Sequence, residues 1–360
     1  MMKKMMTLAA MAALVLTGCS NDTEGISETA NPAKLIAFRT VSDKTETYAT
    51  PMDINNMSSF TMNASYEDLV TSTSGFNFMN YTSVTKTKEG STAWAYAPQK
   101  YYPMDGSFVY FYAYSPAGSV NAESMVASGS PAGISATLKY IVPLRYSTSG
   151  KNPEDFLVAS TKQNGGAVVL SFQHALSMAT FKARNTSTAA TFIVKSIQLI
   201  HLENTGTLDL EPTGPAATTQ TWTNNTTLDK TYQVSLPEAG VPLIPNPAQP
   251  ILNLTSENEG LMIMPQTLGT YAGGTGIIDS GSGQPNDINT KTYIKVSYNV
   301  VDADFKSTVA IKYLPMPTGF TFVQGKKYQF VLSFGNEIGN PVSFSVNMTT
   351  WSAITDTTIN

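Results

Sequence analysis

A chain of 360 residues with a net charge of −4 and only 13% charged side chains presents no basic surface for DNA or RNA. Its single cysteine excludes a disulfide within the chain, so apolar burial must stabilise the fold, and a hydrophobic content of 42% supplies it. The scarcity of charges and the abundance of Thr, Ser, Asn, Gly and Pro favour strands and turns over long surface helices.

The chain begins with the order of segments that is typical of a secretory leader. Lys3 and Lys4 precede an apolar run from Leu8 to Leu16, which is too short to span a bilayer as a permanent helix. We therefore expect residues 1–18 to be a signal peptide that is removed. Without these 18 residues and their two lysines, 342 residues remain with 20 basic and 26 acidic side chains. This length is more than one core usually fills and suggests two domains.

Cys19 stands directly after this leader. The stretch from Leu16 to Cys19 resembles the lipobox of bacterial lipoproteins, which implies that a diacylglycerol is attached to Cys19 before cleavage on its N-terminal side. Two or three acyl chains such as palmitate, at roughly 0.8 kcal/mol per buried methylene, hold a protein stably to a membrane. A buried small side chain is the other role open to a lone cysteine. Residues 19–33 are polar and unpatterned, which predicts a disordered tether.

The first predicted strand runs from residue 35 to residue 41. Its apolar residues are Leu35, Ile36, Phe38 and Val41. Polar segments precede and follow it, so this strand is predicted to be exchangeable without unfolding of its neighbours.

Further strands are predicted from alternating or continuous apolar runs, and no window shows a sustained helical period. These runs are Ser107–Tyr114, Phe156–Ala159, Val168–Phe172, Met178–Ala183, Thr191–Leu199, Leu261–Met264, Ile294–Val300 and Tyr328–Phe334. Residues 204–250 are rich in Thr, Asn and Pro, which suggests loops around short strands. With a boundary at the Asn164–Gly166 turn, the chain is predicted to be all-β, with two β-sandwich domains in series over residues 34–165 and 166–360.

The clearest alternation lies near the C-terminus. Val342, Phe344, Val346 and Met348 alternate with polar residues, so one face of this predicted strand is apolar.

The chain has two histidines, which are the candidates for general-base catalysis and for metal binding. His174 lies beside a predicted strand, where a hydrogen-bonded structural role is favoured over general-base catalysis. His201 and Glu203 have the spacing that points two strand residues to one side, but two ligands make a poor metal site. The sequence therefore predicts no catalytic residue, no metal and no cofactor.

Five short blocks follow one another along the chain: Tyr102–Pro103, Phe108–Pro116, Asp155–Ala159, Val169–Ser177 and Leu261–Gln266. Their residues and their order resemble those of the fimbrillin family of Bacteroidales, which includes the subunits of type V pili. The resemblance implies two transthyretin-like β-sandwich domains and a surface-exposed lipoprotein precursor that is carried to the outer membrane.

The resemblance also implies a structural, adhesion-related role in a fimbria, in partnership with identical or different subunits. In the family, a trypsin-like protease commonly removes the first strand, and a C-terminal segment of the next subunit fills the groove. The residues that match are Leu35–Val41 for the lost strand and Val342–Met348 for the donor. The alternative for Val342–Met348 is a strand of its own domain.

The candidate cleavage sites are Arg39 and Lys44. Arg39 lies inside the predicted first strand, so a cut there is expected to remove only half of the strand. Lys44 follows the strand and suits a protease that tolerates lysine. Without cleavage the lipid would stay attached, and the chain would be an anchor subunit or a monomeric surface lipoprotein.

A second hypothesis is that the chain binds glycans as a monomeric outer-membrane lipoprotein. Aromatic side chains that stack on sugar rings would carry this function, and core packing is the competing role for them. The aromatic residues concerned are Trp94, Tyr96, Tyr101, Tyr102, Tyr112 and Trp222.

Overall fold

The computed structural model describes residues 34–41, 57–66, 76–88, 93–130, 133–147, 154–214, 217–224, 229–246, 248, 250–256, 259–269, 285, 290–335 and 342–350. The predicted signal peptide, Cys19, the predicted tether and Lys44 lie outside these residues. Within the described ranges every regular element is a strand. They also include no apolar helix of bilayer-spanning length.

The strands before residue 175 are β1 Phe38–Val41, β2 Ser59–Tyr66, β3 Met79–Lys86, β4 Trp94–Ala95, β5 Val109–Ser115, β6 Ala122–Ser130, β7 Gly133–Ile141, β8 Arg145–Ser147, β9 Leu157–Gln163, β10 Val168–Ser171 and β11 Gln173–His174. The strands after it are β12 Ser177–Asn185, β13 Thr191–Leu202, β14 Thr205–Gly214, β15 Ala217–Asn224, β16 Lys230–Ser235, β17 Val241–Leu243, β18 Leu252–Asn253, β19 Leu261–Ile263, β20 Gln266–Thr267, β21 Tyr293–Val301, β22 Ser307–Pro315, β23 Thr321–Phe322, β24 Lys326–Phe334 and β25 Val342–Thr350.

An antiparallel sheet with the order β11-β9-β5-β2-β3-β4 contains the aromatic run that the sequence predicts as a strand. Every residue of β5 is buried, because the sheet is covered on both faces. Phe111 and its alternate neighbours pack into one apolar cluster, with β1 and β10. Tyr110, Tyr112 and Tyr114 pack into the other. Phe108, which falls within the predicted strand Ser107–Tyr114, precedes β5 and is exposed.

A second sheet, with the order β15-β14-β7-β6, shares the cluster on the tyrosine face of β5. The hydroxyl of Tyr112 donates a hydrogen bond to the carbonyl of Ile134 in β7. The long strands β14 and β15 lie where the sequence suggested loops around short strands. Threonine-rich segments are good strand formers, and here the two strands pair along nearly their whole length as a hairpin.

Most of the remaining described strands form two larger sheets, and two small pairs are formed by β20 with β23 and by β1 with β10. One has the order β18-β12-β24-β25 with β19 also on β12, and the other has the order β22-β21-β13-β16-β8 with β17 also on β13. Apolar residues at alternate positions of both sheets form their shared core. Phe181 stacks on Phe330 within it, and Phe192 contacts both Tyr298 and Phe334.

This architecture is all-β and sandwich-like, which confirms the predicted fold class. Four pairings join strands on opposite sides of residue 165, namely β1 with β10, β9 with β11, β7 with β14 and β8 with β16. The number of domains, the boundary at residue 165 and the transthyretin-like character remain predictions.

Candidate functional site: the first and last strands

The first strand has a different partner in each half. Residues 34–36 run antiparallel to residues 100–102, where the N–H of Ile36 donates to the carbonyl of Lys100 and the N–H of Tyr102 donates to the carbonyl of Lys34, each at 3.0 Å. Residues 38–41 form β1, which runs parallel to β10 from the pair Phe38 and Val168 onward. The first strand therefore bridges two segments of the chain by backbone hydrogen bonds.

Among the residues of this strand whose burial the structure describes, Ile36 and Phe38 are buried anchors. Ile36 is 1% exposed and Phe38 is 4% exposed. The ring of Phe38 makes edge contacts with Phe60, Tyr96 and Phe111 at centroid distances of 5.9, 5.2 and 6.1 Å. Leu35, in contrast, is 44% exposed. Val41 closes the pairing with β10 opposite Ser171.

Two aromatic side chains hold the strand from the side. The hydroxyl of Tyr96 donates to the carbonyl of Ile36 at 2.8 Å, and burial raises its pKa above the ordinary tyrosine value. The indole N–H of Trp94 donates to the hydroxyl oxygen of Thr40 at 3.0 Å. These residues were candidates for stacking on sugars, but their polar atoms bind the first strand.

The other aromatic candidates for glycan binding lie in different surroundings. Tyr102 and Tyr112 are buried, whereas Tyr101 is exposed. Trp222 donates its indole N–H to the carbonyl of Ala175. The six aromatic residues therefore do not form one exposed surface on which a sugar could stack. Glycan binding through them remains a prediction.

Arg39 lies in β1 opposite Val169, and its side chain is exposed. Both buried anchors, Ile36 and Phe38, precede it in the chain. A cut after Arg39 would thus separate both anchors from the body, although the sequence suggested that such a cut removes only half of the strand.

The last strand, β25, lies at the edge of its own sheet. It runs antiparallel to β24 from the pair Phe334 and Val342 to the pair Lys326 and Thr350, and no other described strand pairs with it. Among the four predicted donor residues, burial decreases along the chain. Val342 is fully buried, Phe344 and Val346 are partly buried, and Met348 is 59% exposed.

His174 is hydrogen-bonded, as the sequence analysis favoured. Its Nδ1 lies 2.9 Å from Oδ1 of Asp155, and both side chains are buried. In the part of the chain that the structure describes, no three His, Cys, Asp or Glu side chains gather in a way that could hold a metal ion.

His201 and Glu203 do not form the pair that their spacing suggested. A register shift between Ile200 and Leu202 disturbs the pairing of β13 with β16, and His201 has a φ of 65°. The Oε1 atom of Glu203 accepts the N–H groups of Asn204 at 2.8 Å and Thr205 at 3.0 Å. Glu203 therefore satisfies backbone donors at the turn between β13 and β14.

Sequence reasoning missed a cavity on the outer face of the sheet formed by β8, β16, β13 and β21. Arg145, Gln233, Gln198 and Lys295 contribute to its lining. Their polar character at alternate positions was a signal for an outward face. Their proximity depends on strand register between distant segments, which local patterns do not contain.

Comparison with known proteins relates this chain to a protein family and to solved structures. The model of a family described as fimbrillin-like matches residues 38–351. A fimbrial protein from Bacteroides vulgatus is similar in structure, with a TM-score of 0.54 and 18% identity over 89% of this chain and 100% of that chain. A proposed cell adhesion protein from Bacteroides uniformis gives a TM-score of 0.45 and 13% identity over 88% of this chain and 99% of that chain. A comparison with curated proteins finds no match.

Proposed function

Because the chain belongs to the fimbrillin-like family, we propose that it is a structural, adhesion-related subunit of a cell-surface fimbria. In this proposal it has no enzymatic role and polymerises with identical or different subunits by exchange of a β-strand. The first strand leaves the subunit, and the last strand of a neighbouring subunit takes its place.

The observation that carries the proposal is the bridging position of the first strand. Its removal would leave backbone groups of residues 100–102 and of β10 without their present partners. It would also uncover the apolar surroundings of Ile36 and Phe38. An open edge with apolar pockets at alternate positions is the arrangement that binds an added strand.

The energetics favour refilling such a groove. Full burial of a side chain such as Phe or Ile contributes roughly 1.5 to 3 kcal/mol, and each unsatisfied backbone group in a buried edge costs about 1 to 3 kcal/mol. A donor that supplies both apolar side chains and backbone partners offsets both losses.

The donor in this proposal is β25. It occupies a sheet edge, and its apolar residues alternate along one face. Its release from β24 has a cost, because the ring of Phe344 lies 6.1 Å from that of Phe330 in the same sheet. The affinity between subunits is then the difference between the new pairing and the old one, reduced further by the loss of free motion on association.

The anchor in this proposal is Cys19. Lipid on Cys19 would carry the precursor to the outer membrane, and a cut after Arg39 or Lys44 would free the subunit from that lipid together with the first strand. An uncut copy would remain as the anchored base of the fibre.

The experiment follows the N-terminus of the chain through assembly in its natural host. Fibres are purified, their subunits are sequenced from the N-terminus, and detergent-resistant ladders are compared for wild type, Arg39→Gln, Lys44→Gln and the double variant. We expect fibre subunits to begin after Arg39 or Lys44, and we expect the double variant to form no ladders. Lys88→Gln, which changes an exposed lysine outside the first strand, is the matched control and should assemble normally.

The contrary result is equally clear. Assembled stalk subunits that still carry lipidated Cys19, or ladders of undiminished strength in the double variant, would contradict the loss of the first strand.

A further inference from the structure

The cavity on the outer face of the β22-β21-β13-β16-β8 sheet has a volume of about 330 Å³. This volume lies near the lower end of the range, about 300 to 1,000 Å³, in which small molecules bind. Its lining combines two cations, two amides, one hydroxyl and two apolar side chains, namely Arg145, Lys295, Gln198, Gln233, Thr231, Leu144 and Ile200. No carboxylate contributes to this lining, although the chain as a whole is acidic.

Strand register places four of these residues in one row. Arg145 pairs with Gln233, Gln233 with Gln198, and Gln198 with Lys295. Because neighbouring strands lie about 4.8 Å apart, the Cα atoms of Arg145 and Lys295 are separated by roughly 14 Å. The two amides lie between the two cations, so the row carries hydrogen-bonding groups in its middle and positive charge at its ends.

The next row gives the cavity an apolar side. Ile200 lies between Thr231 and Tyr293 in the register and is buried with Tyr293 and Tyr313 in a small cluster of its own. The hydroxyl oxygen of Thr231 is buried and has no hydrogen-bond partner. This oxygen is closed off from solvent, so the hydrogen-bonding groups that the cavity offers are the side chains of Arg145, Gln198, Gln233 and Lys295.

Tyr313 also supports one of the cations. The ammonium of Lys295 lies 5.7 Å from the centroid of the Tyr313 ring, and that ring makes an edge contact with Tyr293 at 6.3 Å. This contact favours a fixed position for the charge.

We propose that this cavity binds a sugar residue that carries a carboxylate, such as a sialic acid or a uronic acid. The guanidinium of Arg145 has the geometry for a paired contact with the carboxylate. The amides of Gln198 and Gln233 can each donate to one sugar hydroxyl and accept from another. Leu144 and Ile200 suit the C–H face of the ring.

This chemistry favours an acidic sugar over a phosphate or a nucleic acid. Phosphate recognition relies on clustered cations or on backbone N–H groups, whereas here the two cations stand at opposite ends of a row of amides. The inference goes beyond subunit assembly, because none of the lining residues belongs to the first or the last strand.

The test measures binding of three saccharides to the purified full chain by isothermal titration calorimetry. The probes are 3′-sialyllactose, digalacturonate and neutral lactose. We expect saturable binding of at least one acidic saccharide and no binding of lactose at the same concentration. Binding of 3′-sialyllactose alone assigns the site to sialic acids, and binding of digalacturonate alone assigns it to uronic acids.

Variants of the lining identify the site. Arg145→Gln and Gln198→Leu should each weaken binding at least about tenfold, which corresponds to about 1.4 kcal/mol. Lys139→Gln, which removes an exposed cation from another sheet, should bind as the wild type does. Thermal unfolding checks that each variant is folded.

The proposal is overturned if neither acidic saccharide binds, if lactose binds equally well, or if folded Arg145→Gln binds unchanged. Arg145→Gln should still form fibre ladders like those of the wild type. A failure of sugar binding is therefore separable from a failure of strand exchange.

Discussion

Glu203 is a buried carboxylate that accepts hydrogen bonds from backbone N–H groups. Its Oε1 atom accepts two N–H groups at the start of β14, and its own N–H donates to Oε1 of Gln266 at 2.9 Å. Replacement by alanine would leave two N–H groups without this acceptor in a buried turn. We expect Glu203→Ala to lower the free energy of unfolding by about 1 to 3 kcal/mol, as measured by urea denaturation.

The matched variant is Glu203→Gln, which keeps an acceptor oxygen at the same place. It should lose clearly less stability than the alanine variant. Equal losses in the two variants would show that side-chain volume, and not the acceptor, matters at this position.

His201 gives the fold a dependence on pH. Its pKa is lowered mainly by burial, which outweighs the raising effect of Asp229, and its Nε2 atom is buried without a hydrogen-bond partner. Below the ordinary histidine pKa, near 6.5, the unfolded chain binds a proton at this residue that the folded chain resists. Stability is therefore lost as the pH falls through that value.

We expect the free energy of unfolding to decrease between pH 7.5 and pH 5.5, and to decrease less in His201→Asn. Asparagine suits the test because it tolerates the left-handed backbone at this position. Comparison of the two proteins at each pH cancels the pH effects of all titrating groups that are common to both. An identical pH dependence in wild type and variant would contradict the assignment of this loss of stability to His201.

At the scale of elements, the buried ring of Phe38 anchors the first strand to the body of the protein. Phe38→Ala removes contacts with three aromatic rings, and a buried Phe→Ala change costs about 3 to 5 kcal/mol. We expect urea denaturation to show a loss of unfolding free energy of this size. If the strand detaches without unfolding of the body, we expect a faster rate of trypsin cleavage after Arg39. The control Leu35→Ala alters an exposed apolar residue of the same strand and should change either quantity little.

The sequence predicted the strands whose apolar residues alternate or run continuously. β5, β21, β24 and β25 fall within one or two residues of the predicted ranges. Their patterns are local, because burial on one face or on both faces determines the residue types of the strand itself. The pairing of β14 with β15 was missed, since threonine-rich segments read equally well as loops.

Pairings between distant strands are a different kind of information. β1 with β10, β12 with β24 and β16 with β8 are all parallel, and each joins segments far apart in the chain. No local pattern states which strands become neighbours or in which register. For the same reason the sequence named Ile36 and Phe38 in the first strand but gave no sign of the row formed by Arg145, Gln233, Gln198 and Lys295.

At the scale of the whole molecule, strand exchange requires a donor and an acceptor on each subunit, and these two functions can be inactivated separately. Met348 is 59% exposed in the isolated chain, so Met348→Lys should leave the free energy of unfolding nearly unchanged. In the proposed polymer the same side chain enters the groove of a neighbour, where a buried charge is costly. We expect this variant to accept a strand but to donate poorly.

The double variant Arg39→Gln, Lys44→Gln has the opposite defect, because it keeps its first strand and offers no open groove. Each variant alone should give no ladders after protease treatment. When the two variants are mixed, the donor strand of the uncut variant can fill the groove of the Met348→Lys variant. Growth then stops, because the uncut subunit has no open groove and the Met348→Lys subunit has no effective donor strand. The expected product is a detergent-resistant heterodimer on an unboiled gel. Ladders from Met348→Lys alone would exclude β25 as the donor, whereas an absence of heterodimer would indicate that the two sites do not meet.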